Sequence, residues 1–94
     1  MDLDWCVYMI LCSDRSLYTG ISNDVEKRLQ LHTSQRGAKY FRGRKPLELV
    51  YLERGHDRSS ASKREAAIKK MPRAKKNQLV FSAHNEVPHT NSVD

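Results

Sequence analysis

Apolar residues fall on both alternating faces of the run Trp5–Cys12 (WCVYMILC), with Trp5, Val7, Met9 and Leu11 on one side and Cys6, Tyr8, Ile10 and Cys12 on the other. A strand covered on both sides reads this way. The polar tetrad Ser13-Asp14-Arg15-Ser16 predicts a turn, and Leu17 to Ile21 (LYTGI) a second, shorter strand closing a hairpin. Gly20 near its end marks a bend or a close backbone approach. Asn23 as N-cap, with Glu26 three residues on, predicts a helix running to about Ser34. At 100° per residue Val25 and Leu29 face the core, and Arg28 and His32 flank that stripe.

The turn-rich stretch 37–46 then leads through Pro46 into a third strand, Leu47 to Glu53. A loop at Gly55-His56-Asp57 follows, then a helix from about Ala61 to Met71, capped by Ser59 or Ser60 and ended by Pro72. Its inward stripe is Ala61, Glu65 and Ile68, with Arg64 at the edge. A basic helix, roughly Arg73 to Ser82, completes the order β-β-α-β-α-α. The expected fold is α+β, a small three-stranded antiparallel or mixed sheet flanked by helices. Residues 1–83 form one domain in this reading. Residues 84–94 are polar, contain Pro88 and hold few apolar groups, so a disordered tail is expected there.

Composition bounds the function. Ninety-four residues suit a single domain. Seventeen Lys and Arg against eleven Asp and Glu give a net charge of +6, and within residues 1–83 the balance is seventeen against nine. A field of that sign favours polyanions, nucleic acid above all. No apolar run approaches the roughly 20 residues that span a bilayer, so no membrane partner is expected. The start MDLDWC is acidic where a signal peptide is basic, and Cys6 and Cys12 lie about 20 Å apart on one strand at roughly 3.3 Å per residue. That is too far for a disulfide between them, and two free thiols suggest a reducing, cytoplasmic setting. Cys6, Cys12, His56, His84 and His89 lack the spacing of a zinc site, and no Walker or dinucleotide glycine pattern is present.

Polar groups stand where apolar ones pack more easily: Tyr8, Tyr18, Arg28, His32 and, far downstream, Glu65. Taken alone, Glu65 reads as a surface partner of Lys69 at i+4, and each tyrosine as core. Together, Cys6-Val7-Tyr8 and Tyr18-Thr19-Gly20, followed by Arg28 on the first helix and Glu65 on the helix after the third strand, resemble the GIY-YIG nuclease family. The likeness is to its small, stand-alone, single-domain bacterial branch and covers about residues 5–81. Cys6 stands for Gly, and Val7 and Thr19 for Ile, in the two triplets.

The resemblance implies a metal-dependent endonuclease or nickase acting on DNA, with structured or single-stranded DNA as the candidate substrates. It implies Tyr8 as general base, Tyr18 as a positioning hydrogen-bonding group and Arg28 on the scissile phosphate. His32 would be a polar group nearby, and Glu65 the ligand of one Mg2+ or Mn2+ ion. A phenol of pKa near 10 serves as a base only if positive charge lowers it, which Arg28 and the cation could do. Arg36, Lys39, Arg42, Arg44 and Lys45 form an expected phosphate-contacting rim, with Tyr40 or Phe41 available to stack on a base. Asn77 is a further expected contact residue by the same resemblance. The alternative is a non-catalytic nucleic-acid-binding module, for DNA or RNA, on the same scaffold.

Overall fold

The computed structural model describes residues 3–33 and 44–87, and for residues 31–33 the backbone alone. The elements are β1 (Trp5–Cys12), β2 (Leu17–Ser22), α1 (Val25–Thr33), β3 (Pro46–His56), α2 (Arg58–Lys69) and α3 (Arg73–Val80). The sheet order is β2-β1-β3 and every pairing is antiparallel, so the doubly apolar strand is central. In the hairpin, Asp14 Oδ1 accepts from the Ser16 backbone N–H at 3.1 Å, and Arg15 takes a positive φ of 71°. That is turn chemistry suited to Asp followed by polar residues.

The two faces of β1 build two cores. Val7 and Met9 pack with Tyr51, Ala61 and Ile68, joined by Met71, Leu79 and Val80 from the α2–α3 side. Tyr8, Ile10, Cys12 and Leu52 pack with Tyr18, Val25 and Leu29 on the α1 side. Each fully buried aliphatic side chain contributes about 1.5–3 kcal/mol relative to exposure. With two thin cores, neither helix layer can be lost cheaply.

Element bounds differ from expectation at the caps. α1 is capped by Asp24, not Asn23: its carboxylate accepts from the Lys27 N–H at 3.2 Å, and Ser22 Oγ holds the Asp24 N–H at 2.9 Å. β3 runs on to His56, with Gly55 at φ +83°, and α2 starts earlier because Asp57 caps it by accepting from the Ser60 N–H at 2.7 Å. Both caps are aspartates, which outcompete the flanking Asn and Ser by adding charge at the helix N-terminus.

The first residues of the expected tail lie against the sheet. Residues 84–87 are placed, and Asn85 and Glu86 cover the outer edge of β3. Asn85 Nδ2 donates to the carbonyls of Val50 and Val80, both at 2.8 Å, while its Oδ1 accepts from the Leu52 N–H at 3.1 Å. The Glu86 N–H donates to the Leu52 carbonyl at 2.8 Å, and its carboxylate accepts from the Arg54 N–H at 2.7 Å. Apolar content misses this segment because it is held by satisfying an open sheet edge. Residues 88–94 lie outside the described residues.

Candidate active site

Tyr8 on the central strand sits directly opposite Gly20 on β2. A Cβ at position 20 would lie 2.6 Å from Tyr8 Oη, 2.7 Å from its Cζ and 3.1 Å from Tyr18 Cε2. The missing side chain is therefore the space in which the Tyr8 hydroxyl lies, the close approach expected for Gly20. The rings of Tyr8 and Tyr18 are tilted by 47° with centroids 6.3 Å apart. Their hydroxyls are hydrogen-bonded to one another.

Four of the expected residues act on one another here. Burial pushes the Tyr8 phenol well above the ordinary tyrosine range; negative charge on Tyr18 and Glu65 adds to this, and the Arg28 guanidinium opposes it. Burial also raises Tyr18, reinforced by Glu65 and opposed by Arg28. The charges of Arg28 from α1 and Glu65 from α2 are thus both felt by the phenol pair, from helices packed on opposite faces of the sheet. β2 is an edge strand, and its rim is where two such helices can present charge together. The expected lowering by Arg28 has the right sign, but burial outweighs it.

Glu65 is partly buried, and its carboxylate contacts Lys69 Nζ at 3.3 Å, the i+4 pairing that the spacing allows. Lys69 is itself largely exposed, so the pair is worth only about 0.3–0.5 kcal/mol. Arg28 is exposed and, with Ser22, Asn23, Asp24 and Lys27, lines a depression of about 230 Å³ beside the start of α1. No cluster of three or more His, Cys, Asp or Glu exists among the described residues. The donor that Glu65 offers is a single carboxylate. That fits a hard cation that keeps most of its waters, as Mg2+ does, and not a zinc-type cage.

The remaining expected residues are placed elsewhere or not described. His32 lies in the last turn of α1, its side chain outside the described residues, as are Arg36, Lys39, Tyr40 and Arg42. Arg44 pairs with Asp14 at 3.0 Å, and the Lys45 backbone is clipped to Ser13 by bonds of 2.8 and 2.9 Å. Both sit at the hairpin turn, four residues of strand from Tyr8, or about 13 Å. Asn77 accepts from Arg73 Nε at 3.1 Å, and Arg73 in turn donates to the Arg15 carbonyl at 2.6 Å. It belongs to the contact of α3 with that turn.

A second polar cluster, beside the site, has no forerunner in the sequence reading. Glu53 near the end of β3 accepts from Tyr51 Oη, from His56 Nε2 at 2.6 Å and from Arg64 Nε at 3.1 and 3.2 Å. His56 Nδ1 meets Ser60 Oγ at 2.9 Å. The only hint was Arg64 at the edge of the inward stripe; its partner is eleven residues away on a strand, where no periodicity points to it.

Known proteins resemble this chain in sequence and in fold. Residues 4–78 match the family described as the GIY-YIG catalytic domain. A UPF0213 protein of Natronomonas pharaonis is 49% identical over 80 residues, covering 85% of this chain and 94% of its own. One of Syntrophus aciditrophicus is 53% identical over 75 residues, covering 79% and 86%. Two solution NMR structures share the fold at 39% identity. A protein of E. faecalis gives a TM-score of 0.59 over 93% of both chains, and a UPF0213 protein of Bacillus halodurans gives 0.55 over 87% of both.

Proposed function

Since this chain belongs to the GIY-YIG catalytic domain family, we propose that it is a divalent-metal-dependent endonuclease or nickase that hydrolyses phosphodiester bonds in DNA. One observation carries the reading: Arg28 and Glu65, from different helices, both bear on the hydrogen-bonded Tyr8–Tyr18 pair at the rim of β2.

In this mechanism Tyr8 first gives its own proton to solvent; a water then attacks phosphorus and passes a proton to the Tyr8 phenolate as the P–O bond to the leaving sugar oxygen breaks, and that oxygen takes a proton from solvent. Tyr18, hydrogen-bonded to Tyr8, orients the Tyr8 oxygen. Arg28, exposed beside the depression at the start of α1, contacts the phosphate and offsets charge growing on its oxygens. His32 is a further polar group on the same helix. Glu65 would hold Mg2+ or Mn2+, which when bound would supply Lewis-acid charge to the leaving oxygen and offset the carboxylate charge that adds to the burial-raised pKa of both phenols. The basic residues Arg36, Lys39 and Arg42, with Tyr40, and Arg44 and Lys45 at the hairpin turn, would follow the flanking backbone.

A binding module without cleavage is the second reading. It is favoured by the strongly raised Tyr8 phenol and by the Glu65–Lys69 contact. The deciding experiment incubates plasmid, single-stranded and branched DNA with Mg2+ and the protein, Glu65→Ala or Tyr8→Phe. Cleavage that survives both substitutions rejects the mechanism. Equal binding by all three proteins with no cleavage establishes the module.

A further inference from the structure

α2 carries Glu65, yet its grip on the sheet is narrow. Only Ala61 and Ile68 are fully buried on it, seven residues apart and small or medium in size. Such a stripe seats the helix but sets its rotation weakly. A rotation of about 20° at a side-chain radius of about 5 Å moves a carboxylate by roughly 2 Å. That is enough to take Glu65 out of register with the phenol pair.

The rotation is fixed by the neighbouring residue. Arg64 and Glu65 are consecutive, so they leave the helix about 100° apart. Arg64 is held toward β3 by Glu53, which turns Glu65 away from β3. Glu53 is itself locked: Tyr51 Oη and Arg64 Nε reach Oε1, His56 Nε2 and Arg64 Nε reach Oε2, and His56 continues to Ser60 on the first turn of α2. The cluster therefore ties α2 to β3 at two points, Ser60 and Arg64, one turn apart. Tyr51 is buried and Glu53, His56, Ser60 and Arg64 are partly buried, so the bonds are partly sheltered from competing water.

We propose that Glu53 is a positioning residue: through Arg64 and the His56–Ser60 link it sets the rotation of α2 and thereby aims Glu65 at the Tyr8–Tyr18 pair. The consequence for metal use rests on the function proposed above; the effect on helix rotation does not. The test compares the full chain with Glu53→Gln, and with Tyr51→Phe as the milder change if Glu53→Gln does not fold. Residual dipolar couplings of α2 amides, referred to those of β1, report the rotation without metal or DNA. Mn2+ broadening of the Tyr18 ring resonances reports the carboxylate's place, and Mg2+ titration of cleavage reports its use.

The variant is expected to show reoriented α2 couplings. Its Mn2+ and Mg2+ midpoints should rise about tenfold, at the low end of outer-shell effects, with kcat at saturating Mg2+ retained. Couplings that superpose on those of the parent overturn the proposal, as does a lowered melting temperature with unchanged metal midpoints. If the parent neither cleaves nor shows Mn2+ broadening, the nuclease reading falls and the couplings alone decide the positioning role.

Discussion

Two clusters in this domain use the same residue types, a tyrosine, a glutamate and an arginine, to opposite ends. Around Glu53 every partner converges on one carboxylate, and the Arg64 charge is spent against it. Around Tyr8 and Tyr18 the charges of Arg28 and Glu65 act on the phenols from two helices, and Glu65 has a largely exposed lysine as its ion-pair partner. Consecutive residues of α2, Arg64 and Glu65, belong one to each cluster. The saturated cluster behaves as a structural joint. The other keeps a partly exposed carboxylate whose charge a cation could match and an exposed guanidinium whose charge a phosphate could match.

If that contrast holds, activity and stability should separate along α2. Glu65→Ala is expected to lower plasmid cleavage by about 10²–10³-fold, the scale of one electrostatic stabiliser. Its urea midpoint should barely move, because the lost pair is a surface one. Glu53→Ala should do the reverse at the level of folding and cost about 3 kcal/mol by leaving Arg64 without its partner. Chemical denaturation of the two variants side by side checks both. A Glu65→Ala protein destabilised as much as Glu53→Ala would break the distinction.

Gly20→Ala probes the tyrosine pair itself. The added methyl would sit within 2.7 Å of two Tyr8 atoms, and the Tyr8 ring is fully enclosed, so it cannot swing aside freely. The expected cost is about 1–3 kcal/mol of stability, the range for overpacking, with loss of cleavage as the hydroxyl is displaced. Denaturation and nicking assays should fall together for this variant, unlike Glu65→Ala. A fully stable and active Gly20→Ala protein would show that the close approach has no role.

Much of this arrangement could be read from the chain. The first strand, the hairpin and the helix order follow from alternation and spacing, and the family resemblance alone singled out Tyr8, Tyr18, Arg28 and Glu65. What escaped has a common physical cause. Glu53, His56 and Arg64 meet across a strand end and a helix, and Asn85 and Glu86 pair with the edge of β3 by hydrogen bonds. Neither leaves a periodic or apolar trace. The pKa balance at Tyr8 escaped for a related reason: Arg28 could be counted from the sequence, but the burial that outweighs it depends on how tightly the ring packs under Gly20.

The smallest expected effect is a difference in acid sensitivity. Burial by itself raises the Glu53 carboxyl, but hydrogen bonds from Tyr51 and His56 and the charge of Arg64 outweigh it, and the net pKa lies below the ordinary 4.5. A carboxylate whose folded pKa is depressed adds stability above its unfolded pKa and loses it as pH falls through the folded value. The Glu53 contribution is therefore complete above about pH 4.5 and fades below it. Arg64 stays cationic throughout, so protonating Glu53 strips it of its counter-charge. Glu53→Gln should be less stable than the parent at neutral pH, and the gap between their urea midpoints should narrow as pH falls from about 5 toward 3. A gap that stays constant across that range would mean that the cluster acts through shape and neutral hydrogen bonds alone. The joint on α2 would then not depend on the charge that sets it apart from the site beside it.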